Sequence, residues 1–464
     1  MAPEREAVPH TRGTQICRER DSMPRIVVVS PPFASHARPL ASLAAALRGA
    51  GADVHFACGN GFEDLARWAR VRFEPLAVTR NANTGVAEST PQAVREAERL
   101  ADFVDATRRG AIPALLTQAA HRRADMLADP HGVLTAVRGL HERVRPDWYV
   151  ADQLSYPVTL ALHCLRVPYA TLCPGHPSYV LGEADAYFGL PQAWPSRIRP
   201  APHELLALRA SVKDNDEAFT AAFAAIARTA APGAPAPGRA FALTSPHAVL
   251  YSYPQLPWLP VRPRGRAHFF AGHMVGQEEP LPASWAHRVT ALRARTRRVV
   301  LVALGTFLSA RDDVLRTVTE SILRAHRDVG VIVAAGARTD ALADLAGPRC
   351  LVFPSVPQQE LLPHLDAMVH HGGANSFTEC VRAGVPAVVL PFSSDQFSVA
   401  ADAERAGVGA VLDPNALGER DVPQALQILW TGRRRPLDIV STATVRRRGP
   451  AWAAARLLAV MNRA

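Results

Sequence analysis

Lysine is nearly missing from this 464-residue chain: of its 52 basic residues, only Lys213 is not an arginine. The formal net charge is +10, carried partly by short arginine runs at Arg108-Arg109, Arg122-Arg123, Arg433 to Arg435 and Arg446 to Arg448. A single-strand nucleic-acid groove needs aromatic rings between its cations. The runs lack them, and aromatic residues make up only 6% of the chain. The arginines therefore read as solvated surface, with a weak pull on anionic substrates as their other use and no nucleic-acid partner expected. Cysteine is scarce as well. The six, at positions 17, 58, 164, 173, 350 and 380, show no C-x-x-C spacing and mostly sit in apolar runs. That pattern excludes a disulfide frame or a thiolate zinc site and suggests reduced, buried thiols in a cytoplasmic protein. No apolar run reaches the roughly 18 residues of a membrane span, so no stable membrane insertion is expected. The opening "MAPEREAVPHTRGTQICRERDS" is polar and lacks the apolar middle of a signal peptide. Residues 1–22 are expected to be a disordered extension, with Met23 an alternative start.

What the chain has is a repeating grammar. Continuous apolar runs alternate with alanine- and arginine-rich helical stretches. In the first half the runs are 25–30, 52–58, 147–152, 169–174 and 248–254. In the second they are 298–305, 330–336, 350–356, 367–371 and 387–392. Uninterrupted apolar strands between helices indicate parallel sheets covered on both faces. The length exceeds what one core usually supports. The expected fold is α/β, with two facing doubly wound, Rossmann-like domains: 23–275 and 276–464, the last helix returning to pack on the first domain. The stretch "PLASLAAALRGAG" (39–51) predicts a helix with Leu40, Leu43 and Leu47 on one stripe. The Pro/Gly/Ala-rich segment 231–240 reads as a loop. Ligands of open parallel sheets bind beyond the carboxyl ends of the strands, so the cleft between the sheets is the natural site.

The stretch "HHGGANSFTECVRAGVPAVVLPFSSDQ" (370–396) carries the strongest signal. It runs off a strand through Gly372-Gly373, where the missing Cβ atoms let a ligand approach the backbone. A helix then starts at Asn375 or Ser376, bears an apolar stripe of Phe377, Cys380 and Val381, and ends at Gly384. A helix start with free N–H groups suits a phosphate. Asn375 and Glu379 share a face one turn apart, away from the apolar stripe, which places a carboxylate where ribose hydroxyls could donate to it.

This stretch closely resembles the nucleotide-sugar signature of family 1 glycosyltransferases, the GT-B enzymes that include plant secondary-product and antibiotic glycosyltransferases. The family's H-x-G-x-N-S-x-x-E core, G-V-P and D-Q appear as His371, Gly373, Asn375, Ser376, Glu379, Gly384-Val385-Pro386 and Asp395-Gln396. Upstream, Gly305-Thr306 and Val356-Pro357-Gln358 match further motif positions. The resemblance implies that Thr306, His371, Gly372, Gly373, Asn375 and Ser376 hold the diphosphate. It places Val356 and Gln358 among the donor-binding positions, Glu379 at the ribose, and Asp395 and Gln396 at the sugar hydroxyls. Ser355 stands where the family often has an aromatic that stacks on the base, so uracil and thymine remain alternatives.

The same resemblance asks for a base on the other half. In "SPPFASHARPL", His36 and Pro39 match the family's G-H-x-x-P loop, with Ser35 in place of glycine. An unperturbed histidine is largely neutral at pH 7 and can accept a proton. Asp152 ends the strand 147–152 at the same sheet edge and would fix the imidazole; Asp147 lies at the wrong end. His163, His247, His268 and His273 show no metal-ligand spacing, and no D-x-D metal-diphosphate motif is present.

The implied activity is an inverting, metal-independent transfer of a sugar from a UDP- or dTDP-sugar to a hydroxyl or amine of a small-molecule acceptor, suggested by composition and family to be a bacterial secondary metabolite. No cofactor beyond the donor substrate is expected, and the protein should be a monomer or homodimer. Two other uses of the fold stand beside this: a nucleotide-sugar epimerase, and a non-catalytic helper, which would not need an intact donor signature. A chain beginning at Met23 is expected to keep its melting temperature and activity. A large drop on truncation, read by thermal denaturation, would show that residues 1–22 pack against the body.

Overall fold

The computed structural model describes residues 23–79 and 94–463, apart from 126, 128, 183, 234, 236–237, 260–261, 263, 275–278, 433–439 and 441–444. The extension 1–22, the expected junction at 275/276 and part of the loop 231–240 lie outside the described residues.

Two parallel sheets form the frame. The first contains β1 (Arg25–Val29), β2 (Asp53–Cys58), β3 (Arg72–Pro75), β4 (Trp148–Asp152), β5 (Tyr169–Cys173), β6 (Ala248–Tyr251) and β7 (Ala267–Phe270), in the order β3-β2-β1-β4-β5-β6-β7. The second contains β8 (Arg298–Ala303), β9 (Val329–Ala334), β10 (Cys350–Phe353), β11 (Ala367–His370), β12 (Ala387–Val389) and β13 (Gly409–Val411), in the order β10-β9-β8-β11-β12-β13. The ten predicted strands are all present. The three that sequence reading passed over are β3, β7 and β13, and all three are sheet edges. Edge strands lie half-exposed or very short, so they lack the long apolar run that marks a central strand: β3 is "RFEP", and β13 is only "GAV".

Central strands are buried on both faces, as with Val27 to Val29 and Val299 to Val302. The predicted helix after β1 starts five residues earlier than its apolar stripe suggests, at Ala34, and runs to Gly49 with Pro39 inside it. Pro39 is the sixth helical residue, so its missing N–H leaves the Ser35 carbonyl without its partner inside the helix. His36 is therefore in the first turn of a helix and not in a loop.

The last helix, Pro450–Met461, packs across the halves of the sequence. Its Ala453, Ala454, Leu457, Leu458 and Met461 join Leu40, Leu43 and Leu47 in the core over β1 and β2. A separate core cluster combines Tyr251, Tyr253 and Leu256 from the first half with Leu301, Met368 and Phe377 from the second. The two sheets thus share apolar packing at the base of the cleft, and Tyr253 stacks on Phe377 with ring centroids 5.2 Å apart. Among the described residues no helix is long and apolar enough to cross a membrane.

Leu457 is fully buried in the seam between the last helix and the first sheet. Leu457→Ala should lower unfolding free energy by about 2–5 kcal/mol, measured by urea denaturation, because it leaves a cavity where two distant segments meet.

Candidate active site

Both sheets reverse strand order at their centre, between β1 and β4 and between β8 and β11, where neighbouring connections leave to opposite faces. Such switch points open crevices at the carboxyl edge. Here the two crevices face each other across a cavity of about 1190 Å³.

On the first side, His36 follows β1 and Asp152 ends β4, its hydrogen-bonded neighbour. Asp152 is fully buried, and its Oδ2 lies 2.9 Å from His36 Nδ1. Its Oδ1 accepts the Leu154 backbone N–H at 2.8 Å, so both carboxylate oxygens are fixed. A carboxylate acceptor holds the proton on Nδ1 and leaves Nε2 for a ligand. Burial pushes the His36 pKa down, but the charge and hydrogen bond of Asp152, with help from Asp395, outweigh it and leave a net upward shift.

On the second side, the turn after β11 presents His371, then Gly372 with φ 85°, then Gly373 as the residue before the helix Ala374–Ala383. His371 is wedged between glycines: a Cβ on Gly373 would come within 2.5 Å of its Nε2, and one on Gly305 within 2.5 Å of its Cε1. Burial lowers the His371 pKa to about 4, so the ring is a neutral hydrogen-bonding group near pH 7. Its Nδ1 is buried without a hydrogen-bond partner, which matches a site that a ligand completes. The helix starts at Ala374, one residue before the predicted Asn375, and ends at Gly384 in the left-handed region as expected.

Glu379 is buried, not solvated. Gln358 Nε2 donates to its Oε2, and Gln359 Nε2 donates to its Oε1 at 3.2 Å. Burial raises its pKa to about 7, against the lowering by the two glutamines and Arg38. Gln358 also donates to Ser376 Oγ at 3.3 Å. Thr306 and Val356 line the same cavity. Gln396 is only partly free for a ligand, because its Oε1 accepts the Phe392 and Ser393 backbone N–H groups at 2.9 and 3.1 Å. Asp395 Oδ2 accepts the His176 backbone N–H at 2.8 Å from across the cleft.

One hydrogen bond joins the two sides directly. Asn375 Nδ2 donates to the Ser35 carbonyl at 2.9 Å, so the residue before His36 rests on the first turn of the helix Ala374–Ala383. Residues 340 positions apart become neighbours.

All predicted site residues except Gly372 and Asp152 line this one cavity; Asp152 bonds the lining His36, and Gly372 lies between the lining His371 and Gly373. Sequence reading missed His273, treating it as an ordinary histidine. Its Nδ1 is 2.8 Å from Thr378 Oγ1, and its buried, unpartnered Nε2 is 3.7 Å from Glu379 Oε1. No spacing links position 273 to 379, so only the fold could have found it. Among the described residues, no group of three His, Cys, Asp or Glu side chains forms a metal-binding cluster.

Residues 247–446 match the family model described as UDP-glucoronosyl and UDP-glucosyl transferase. Over that stretch, less than half of the chain, the sequence is similar to this glycosyltransferase family. The match spans the whole second sheet and the donor signature. Among curated relatives, a sterol 3-beta-glucosyltransferase of Penicillium rubens is 34% identical over 137 residues, 28% of this chain and 10% of the relative. A sterol 3-beta-glucosyltransferase of Saccharomyces cerevisiae is 30% identical over 161 residues, 33% of this chain and 13% of the relative. The chain thus spans about a tenth of the length of these relatives. Solved structures similar over the full length include the glycotransferase of kitacinnamycin, with a TM-score of 0.65 and 19% identity, covering 95% of this chain and 99% of that one. Spinosyn forosaminyltransferase SpnP gives 0.61 and 20%, covering 95% and 100%. VinC, a glycosyltransferase in complex with dTDP, gives 0.59 and 18%, again covering 95% and 100%. These likenesses establish the GT-B fold.

The His36–Asp152 geometry makes a spectroscopic prediction. His36 should titrate above the ordinary value of about 6.5, read by NMR of labelled histidine. In Asp152→Asn the opposing burial is left to act, and the titration should move below that value.

Proposed function

We propose that the protein transfers a sugar from a nucleoside-diphosphate sugar to a hydroxyl of a small-molecule acceptor, inverting the anomeric centre. The observation that carries this reading is the Asn375–Ser35 hydrogen bond, which sets the His36–Asp152 pair directly beside the start of the donor-side helix. Base and leaving-group site are thereby held together, the requirement of a single displacement.

In the proposed step His36 Nε2 takes the proton of the acceptor hydroxyl. The acceptor oxygen bonds to the anomeric carbon as the carbon–oxygen bond to the diphosphate breaks, and the electron pair leaves with the phosphate. Asp152 supports the imidazolium that forms. His371 and the first N–H groups of the helix Ala374–Ala383 receive the growing negative charge, in a partly dry cleft where such dipoles act strongly. Glu379 accepts from the ribose, with Gln358 or Gln359 giving way to it. No divalent metal is needed if these groups neutralise the diphosphate.

The cavity exceeds the usual 300–1,000 Å³ of a ligand site, leaving room for an acceptor beside the donor. Six large hydrophobic residues are substantially exposed among the described residues, and the two aromatic ones, Trp68 at 47% and Phe307 at 38%, both line this cavity. With Phe33, Leu65, Leu100 and Phe103 they favour a bulky, largely apolar acceptor. A sterol, the acceptor printed in the name of the Penicillium rubens relative, is of this bulky, apolar kind.

His36→Ala should lower kcat by roughly 10²–10⁴ while leaving UDP or dTDP affinity nearly unchanged by calorimetry. His371→Ala and Glu379→Ala should weaken the nucleotide. Wild-type affinity should also fall as pH drops through about 7, where the Glu379 carboxyl gains its proton and stops acting as a full acceptor, and Glu379→Ala should abolish that dependence. Equal loss of nucleotide binding in all three variants would refute the division between the two sides.

A further inference from the structure

Ser394 is one of four non-glycine residues with positive φ among the described residues, at 59°. The other three, Arg70, Arg145 and Arg166, are ordinary left-handed helix ends. Ser394 is not a helix end. It sits at the turn after β12, immediately before Asp395 and Gln396. A side chain in the left-handed region persists only when surrounding contacts over-determine it, and such residues gather at functional sites.

The contacts that hold Ser394 come from the other sheet's domain. Its backbone N–H donates to Gln118 Oε1 at 3.0 Å. Its Oγ accepts from Arg122 Nη2 at 3.3 Å and shares a 2.5 Å hydrogen bond with the Tyr179 hydroxyl. Gln118 and Arg122 are i and i+4 on the helix Ala111–Asp125, so one helix face delivers both. The clamp is itself braced: the Arg122 guanidinium lies 4.7 Å from the Phe188 ring centroid, and the Tyr179 ring is 4.8 Å from the same ring. Next in sequence, Asp395 is tied by the His176 backbone N–H. Gln118, Arg122, Tyr179, Ser394 and Asp395 all line the cleft.

We infer that Gln118, Arg122 and Tyr179 are positioning residues for the donor sugar, holding the turn 393–396 in the conformation that aims Asp395 and Gln396 at the sugar hydroxyls. The inference rests on the donor reading above. It adds that sugar selectivity is set from the acceptor side of the cleft, by residues that need not touch the sugar. A hydroxyl-reading carboxylate discriminates epimers only if its oxygens are held to a fraction of an ångström. The left-handed Ser394 cannot supply that rigidity alone.

The test measures calorimetric affinities of UDP and dTDP, each free and bearing glucose, galactose, rhamnose or glucuronic acid. In the unaltered chain one sugar nucleotide should stand out from its epimers. Gln118→Leu, and the milder Tyr179→Phe, should keep the free diphosphate affinity within about twofold and flatten the ranking among sugars by about tenfold. Ser394→Gly, which tolerates positive φ but lacks the Oγ that Arg122 and Tyr179 hold, should by itself flatten the ranking as Gln118→Leu does. A merely structural role for Gln118 would lower the melting temperature without changing the ranking. If Gln118→Leu and Tyr179→Phe leave the ranking intact, if Ser394→Gly leaves it intact, or if the unaltered chain ranks no sugar, the inference is overturned while UDP or dTDP binding upholds the donor site. Failure of every diphosphate to bind overturns both.

Discussion

A single buried carboxylate, Asp402, sets how the two sheets face each other. It lies on the helix Gln396–Arg405 of the second half and is 2% exposed. An ionised group in such a place must be paired and hydrogen-bonded. Among the described residues, its side-chain donors all come from the first half: His176 Nε2 at 2.9 Å, the Tyr253 hydroxyl at 2.9 Å and Trp258 Nε1 at 2.6 Å. His176 Nδ1 accepts the Ser178 backbone N–H, so its proton sits on Nε2 and points at the carboxylate. Separating the sheets would strand the charge, which makes the observed apposition a discrete arrangement instead of one among many.

The cleft's electrostatics follow from that apposition. Four of the histidines that border or underlie it are divided by their neighbours into two kinds. His36 has Asp152 against Nδ1 and Asp395 nearby, and its pKa rises. His370 and His371 have burial without a bound carboxylate, and their pKa values fall to about 3 and about 4. His273 falls to about 3 through burial and the nearby Arg382, although Glu379 is 3.7 Å away. The same side chain thus has a raised pKa beside Asp152 and a lowered one where burial acts without a bound carboxylate. Environments that push like groups apart are how one site acquires distinct acid–base roles.

The wall formed by the second sheet was largely legible in the sequence because its parts are local. His371 to Gln396 occupy one strand–turn–helix–strand unit, and the helix-start and glycine rules act within a few residues. The His36–Asp152 pair was legible for a different reason. The resemblance named the two residues, and parallel topology, which sends every strand's carboxyl end to one edge, brings the helix start that follows β1 and the residue that ends β4 to the same place. Three of the four edge strands escaped reading because partial exposure or shortness removes their apolar run, and the start of the helix at Ala34 escaped because its first turn carries no apolar stripe.

By itself, then, the sequence determined the two parallel sheets, the glycine turn and helix start after β11, and the meeting of a histidine with an aspartate at one sheet edge. Each follows from periodicity, local backbone chemistry or strand direction. Tertiary structure alone decided that Asn375 reaches Ser35, that His273 lies beside Glu379, that Asp402 gathers three distant donors, and that Gln118, Arg122 and Tyr179 close on Ser394. These contacts join segments roughly one hundred or more residues apart. Their partners are chosen by how two finished surfaces fit, and no spacing along the chain encodes that choice.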